Sequence, residues 1–296
     1  MSRSPSGRTL RGAAAAVVAF AAAIALAACS SGSGSSGTTT AASAAASASP
    51  SAKASGSVAA SASAGSAAPG ASGTVTVFAA ASLKNTFTEL GQTFAQQNPG
   101  TTVTFNFAGS SDLVTQITGG APADVFASAD QNNMTKATTA GVVAGTPVNF
   151  ASNILTIVTQ PGNPKGIKGF SDLTSPDLQV VVCAPQVPCG SATQKVEQNT
   201  GVTLTPVSEE SSVTDVLNKV QTGQADAGLV YVTDAAGAGD KVTGVPFPEA
   251  AAVVNVYPIA TLTGATQPAL ATRFIELVTG PDGQQVLKDA GFEPAP

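Results

Sequence analysis

The fold can be read from Val75-Thr76-Val77-Phe78-Ala79-Ala80-Ala81-Ser82-Leu83. Val75 to Phe78 is a short apolar strand. A few small residues later, Leu83, Phe87, Leu90 and Phe94 recur at the spacing of one helix face. The same change of period returns downstream. Val103 to Phe107 reads as a second strand, followed by Leu113, Val114 and Ile117 at helical spacing, and Asp124 to Ala127 as a third strand. Alternating strands and helices call for a mainly parallel sheet with helices on both faces.

A second set of elements begins at Ile154 to Val158 and continues with strands at Gln179 to Cys183 and Ala227 to Val232. Helical stretches lie near Ala192 to Asn199 and at Val213 to Gln221. A long apolar run, Val253 to Leu262, precedes two amphipathic segments, Ala269 to Val278 and Asp282 to Ala290. One small sheet cannot use so many elements, so two α/β lobes are expected.

Upstream of Thr74 the sequence changes character. Arg3, Arg8 and Arg11 form a positive leader, Gly12 to Leu26 is apolar, and Leu26-Ala27-Ala28-Cys29 ends it, as in an export signal. The ending resembles the bacterial lipoprotein box, which implies cleavage after residue 28 and a lipid on Cys29. An ordinary cleaved signal with an incidental cysteine is the alternative. Ser30 to Gly73 is almost wholly Ser, Ala, Gly, Thr and Pro, too poor in large apolar side chains to fold. As a random coil it reaches on the order of 40 Å, enough to hold a folded domain off a membrane surface.

Composition removes several classes of function. The chain of 296 residues contains no histidine, which rules out Ser-His-Asp and Cys-His catalysis and His-ligated zinc. Taking the three leader arginines from 13 basic residues leaves 10 against 18 acidic, a net charge near −8. Nucleic acid is therefore not an expected partner. No Ser-x-x-Lys occurs, and 5% aromatic residues is poor material for a sugar cleft, so an enzyme is not expected. With Cys29 lipidated, Cys183 and Cys189 are expected to be bridged outside the cytoplasm, two free thiols being the alternative.

Three strand-to-helix junctions are built from small residues and serine: Ala79 to Ser82, Ala108-Gly109-Ser110-Ser111, and Ser211-Ser212-Val213. Serine is a preferred N-cap, and that role alone accounts for any one of them. Their repetition at strand carboxyl ends also suits an anion site, because ligands of open α/β sheets bind there and helix N-termini offer free N–H groups. The loop Ala184 to Ser191, stiffened by Pro185 and Pro188, is a further candidate, equally readable as a braced surface turn. Tyr231, one of two tyrosines in the chain, ends a strand and is either a cleft hydroxyl or a core residue.

At these positions the chain resembles the periplasmic molybdate-binding proteins of ABC transporters. The matching segments are Val77 to Leu83, Gly120-Ala121-Pro122-Ala123-Asp124-Val125-Phe126-Ala127-Ser128-Ala129-Asp130, and Gly228-Leu229-Val230-Tyr231 with Asp234-Ala235. The resemblance implies a two-lobed periplasmic-binding-protein type II fold of class α/β, with the ligand cleft between lobes. It assigns 74–151 and 257–296 to the first lobe and 152–256 to the second, after a signal at 1–28 and a tether at 29–73.

It also implies an oxyanion, molybdate or tungstate, held only by neutral donors. These are the hydroxyl and N–H of Ser82 and of Ser110, the N–H of Cys189 and of Val213, and the hydroxyl of Tyr231, none of them bonded directly to the metal. Cys189 departs from the small residue usual at that place. Asp112 is expected in a helix first turn rather than on the ligand, since negative charge is favoured there. No cofactor is implied. The expected partners are the oxyanion, a membrane permease and the membrane itself through the lipid, with the protein monomeric on the outer face of the cell membrane. A sulfate-type receptor on the same fold and a surface lipoprotein without transport function are the competing readings.

Overall fold

The computed structural model describes residues 72–296; Cys29, the signal and the tether as far as residue 71 lie outside the described residues. The first lobe opens with β1 (Gly73–Ala80), whose Val75, Val77 and Ala79 are fully buried. It pairs in parallel with β2 (Thr101–Ala108) on one side and β3 (Val125–Ala127) on the other. An inner strand covered on both faces needs the near-continuous apolar run that β1 has.

Between these strands run α1 (Lys84–Gln97) and α2 (Ser110–Thr118). Phe87, Leu90 and Phe94 of α1 are buried at the predicted spacing. They meet Phe105, Phe150 and Phe274 in one aromatic cluster, with Phe87–Phe274 centroids 5.8 Å and Phe94–Phe274 centroids 5.6 Å apart in edge geometry.

After α3 (Gln131–Thr139) comes β4 (Val143–Asn153), the outer strand of the first sheet. The chain then enters the second sheet with β5 (Leu155–Thr159). This sheet continues through β6 (Val180–Cys183), α4 (Pro188–Thr200), β7 (Ser208–Glu210), α5 (Val213–Gln221), β8 (Ala227–Tyr231), α6 (Val232–Ala238) and β9 (Thr243–Val245). It returns to the first sheet as β10 (Asn255–Leu262), followed by α7 (Pro268–Thr279) and α8 (Pro281–Asp289), which pack near α1.

The strand orders are β2-β1-β3-β10-β4 and β7-β6-β8-β5-β9. Two α/β layers therefore match the expected class, but the sheets are mixed rather than mainly parallel. In each, three parallel strands are followed by one reversed strand, β10 in the first and β5 in the second; the fifth strand, β4 or β9, pairs antiparallel with the reversed one and so runs along the first three. Connections that cross between sheets bring β5 and β10 in from the opposite direction, and local periodicity carries no record of strand direction.

The sequence reading has no counterpart for α3, β4, β7, α6 or β9. β7 and β9 are only three residues long, and α3 buries little besides Asn133, Met134 and Ala137. β4 contains Gly145 and Pro147, is mostly exposed over its first half, and pairs with β10 through shifts in register. Such an edge strand lacks the clean alternation that marks a strand in sequence.

Candidate functional site

The parallel strands of each sheet end toward the space between the two sheets. β1 runs through Ala80 into a tight 3-10 turn, Ala81–Leu83, and then into α1. β2 runs through Gly109 into α2. Neither Ser82 nor Ser110 caps its helix: the capping positions are Ala80 and Gly109, which offer no side-chain bond. Both serines stand inside the first turn, where backbone N–H groups have no acceptor within the helix.

Gly109 sits where it does because the second lobe comes close. A Cβ there would collide with the carbonyl oxygen of Ser211, across the gap between lobes. A second contact joins the lobes where Asn133 Nδ2 donates to Gln186 O at 3.3 Å.

In the second lobe α4 begins with Pro188 at its first position, a residue that has no N–H to leave unpaired. Cys189 follows it. The loop before α4 folds tightly onto the helix, since a Cβ on Gly190 would overlap the Ala184 carbonyl, and the Cys183–Cys189 disulfide ties its ends with Cα atoms 5.6 Å apart. Ser212 is a true N-cap, accepting from the Asp215 N–H, and leaves Val213 as the first residue of α5. Tyr231 closes β8, and its N–H donates to the buried Asp234 carboxylate at 3.0 Å.

Ser82, Ser110, Cys189, Val213 and Tyr231 line one small cavity of about 10 Å³, together with Ala80, Ala81, Gly109, Ala129, Val187 and Pro188. No lysine, arginine or carboxylate is among these lining residues, and Asp112 is not one of them. Asp112 stands in the first turn of α2, as expected. A larger hollow opens between the start of α1 and α5–α6. It mixes Lys84 and Lys241 with Asp234 and Asp289, charged groups that the small cavity lacks.

The hydroxyls of the cavity are held from behind. Ala129 N–H donates to Ser110 Oγ at 3.1 Å, Asn255 Nδ2 lies 3.0 Å from Tyr231 Oη, and Ser82 Oγ lies 3.1 Å from Tyr257 Oη. Burial first, and then the neighbouring phenol and the Asp130 and Asp234 carboxylates, push the Tyr231 pKa well above its ordinary value. Burial does the same for Tyr257, so both remain neutral phenols. Burial also raises Asp234 to about 7 and raises Asp130, although Asn133 and Ser128 bond its carboxylate.

Asn255, Tyr257 and Asn133 have no place in the sequence-based site. One signal was available: Asn255 is a lone amide in the apolar run from Val253 to Leu262. Its burial at the start of β10 calls for a hydrogen-bonding role. Among the described residues, no group of three His, Cys, Asp or Glu side chains is arranged to hold a metal ion, and no helix is long and apolar enough to cross a membrane.

Comparison with known proteins agrees with this geometry. The family model described as bacterial extracellular solute-binding protein matches residues 75–293. The molybdate-binding protein ModA of Mycobacterium tuberculosis is 59% identical over 219 residues, covering 74% of this chain and 84% of its own. ModA of Escherichia coli is 32% identical over 231 residues, covering 74% and 89%. The solved molybdate-binding protein of Azotobacter vinelandii shares the fold with a TM-score of 0.65 at 24% identity, covering 74% of this chain and 98% of its own. The sulfate-binding protein SubI of M. tuberculosis shares it with a TM-score of 0.64 at 20% identity, covering 75% and 86%. These relatives are solute carriers and not enzymes. A family match over most of the chain and mycobacterial relatives at 59% identity lead to one conclusion: the chain belongs to the bacterial extracellular solute-binding proteins, in their molybdate-binding branch.

Proposed function

We propose that the protein captures molybdate or tungstate outside the cytoplasm and delivers it to an ABC importer. The observation that carries this reading is the cavity lining, which brings hydroxyls and first-turn N–H groups together with no charged side chain. Molybdate is fully deprotonated at neutral pH and only accepts hydrogen bonds, so a site made of donors suits it. Helix starts add partial positive charge without a cation. The anion is held by the hydroxyl and N–H of Ser82 and Ser110, the N–H of Cys189 and Val213, and the Tyr231 hydroxyl. Donors from both lobes make the ligand a bridge that favours closure, by as much as its affinities for the closed and open forms differ.

Residues 74–151 and 257–296 act as one lobe and 152–256 as the other. A lipid on Cys29 and the tether at 29–73 hold the monomeric protein to the outer face of the membrane. A Bacillus subtilis relative, 28% identical over 228 residues, is itself named a putative substrate-binding lipoprotein, which supports the anchor.

The test is a melting scan and a calorimetric titration with molybdate, sulfate and phosphate. Ligand at one hundred times its dissociation constant should stabilise the fold by about 2.7 kcal/mol. Molybdate is expected to give that shift and to persist against excess sulfate. No shift with molybdate, or tighter binding of phosphate, overturns the reading. Dominance of sulfate establishes the sulfate-type alternative, which a 27% identical sulfate-binding relative from Synechococcus elongatus keeps in view.

A further inference from the structure

Two hydroxyls of the cavity have their proton directions set by neighbours, Tyr231 by Asn255 behind it and Ser110 by the Ala129 backbone. Asn255 Nδ2 is 2.9 Å from the Ala129 carbonyl oxygen and 3.0 Å from Tyr231 Oη. A carbonyl only accepts, so the Asn255 atom that faces it must be the NH2 group. The same NH2 therefore donates to Tyr231 Oη and leaves the phenol proton to point elsewhere. Ala129 acts again through its N–H, which occupies the Ser110 oxygen and frees the Ser110 proton in the same way. At the third hydroxyl, Tyr257 Oη lies 3.1 Å from Ser82 Oγ, and either oxygen can carry the shared proton.

We infer that Asn255 is a specificity-determining positioning residue, which forces Tyr231 to act as a donor and so makes the cavity select anions that carry no proton. This rests on the reading of the cavity as an oxyanion site. A protonated oxyanion brings its own O–H and needs an acceptor; in this cavity the Tyr231 and Ser110 oxygens are already supplied with a donor. Discrimination by an unpaired polar group is large because burial leaves it no water to bond.

The substitution Asn255→Asp reverses the polarity. Ionised or protonated, an aspartate in that place accepts from the Tyr231 hydroxyl, whose oxygen then faces the anion as an acceptor. Molybdate and hydrogen phosphate at about pH 8 are both dianions, so the ratio of their affinities reads proton matching rather than charge. Calorimetric titration of the whole protein with sodium molybdate and sodium phosphate is expected to show that ratio falling at least roughly tenfold in Asn255→Asp. Asn255→Ala, which removes the donor to the Tyr231 oxygen, should lower it in the same direction by less.

A merely structural role weakens both anions alike, so an unchanged ratio in folded variants overturns the inference and leaves the site reading standing. Should Asn255→Asp fail to fold, Asn255→Ala decides alone. Absence of molybdate binding to the unaltered protein overturns the site reading, and this inference with it.

Discussion

In the first lobe the core is aromatic, with Phe87, Phe94, Phe105, Phe150 and Phe274 in mutual contact. In the second it is mostly aliphatic, with Val180, Val181, Val196, Val216, Val220 and Leu229 buried and one aromatic pair, Phe170 with Phe247, stacked at 5.5 Å. The two lobes nevertheless share one strand layout, three parallel strands, then one reversed strand, then a fifth that runs along the first three. They differ again at the cavity. The first lobe offers serine side chains on turns whose capping positions bear no polar group. The second offers backbone N–H groups of α4 and α5, held by a disulfide and a serine cap. In the proposed site the first lobe thus depends on side-chain identity, and the second on backbone shape together with the single hydroxyl of Tyr231.

The largest expected effect tests the aromatic core. Phe274→Ala removes the ring that joins α7 to α1 and should cost about 3 to 5 kcal/mol in denaturant unfolding. A loss below 1 kcal/mol means that the first lobe does not depend on this cluster.

Next comes Asp234, buried in the second lobe beneath Tyr231. Burial lifts its pKa from 3.8 to about 7, so the fold favours its neutral form. The stability tied to that form is complete below about pH 4 and is lost as pH rises through 7, on the order of 4 kcal/mol. Asp234→Asn, whose amide oxygen can still accept the Tyr231 N–H, should flatten the decline of melting temperature over that window. Asp130, raised in the same direction, keeps a residual slope. An unaltered pH profile in the variant removes Asp234 as its cause.

The disulfide bears on the claim that shape governs the second lobe. Cys183→Ala with Cys189→Ala opens a loop of six-residue separation and should cost about 2 kcal/mol in the loop-entropy picture. Molybdate should also leave faster, which stopped-flow displacement measures. Unchanged release would show that Pro188 and Gly190 shape the loop without the bridge.

The smallest effects separate the lobes most cleanly. Ser110→Ala deletes a donating hydroxyl and should weaken molybdate by roughly tenfold, the scale of one hydrogen bond to a charged group. Val213→Ala keeps the N–H and should leave affinity within about threefold, although it loses some stability. If the two variants weaken binding equally, the contrast between side-chain and backbone donors fails.

The parts legible in the sequence were those that local pattern determines. β1, α1, β6 and α5 declare themselves because each buries a face whose period is written in consecutive residues. Ser82 and Ser110 were visible as serines at strand-to-helix turns, and the structure removes capping as their explanation. β4 escaped notice because an edge strand half open to water needs no alternation. Asn255 and Tyr257 escaped because their meaning depends on distant partners: the Ser82–Tyr257 bond joins residues 175 positions apart. Both lie on β10, which returns from the second sheet to the first, and no window of neighbouring residues reveals where a returning strand will lie.

Gly109 carries one more consequence. Its missing side chain is what lets α2 approach the Ser211 carbonyl. Any other residue would wedge the two lobes apart, so a single hydrogen in place of a methyl group works as a calliper, fixing the closed gap of the slot before any anion arrives to be measured by it.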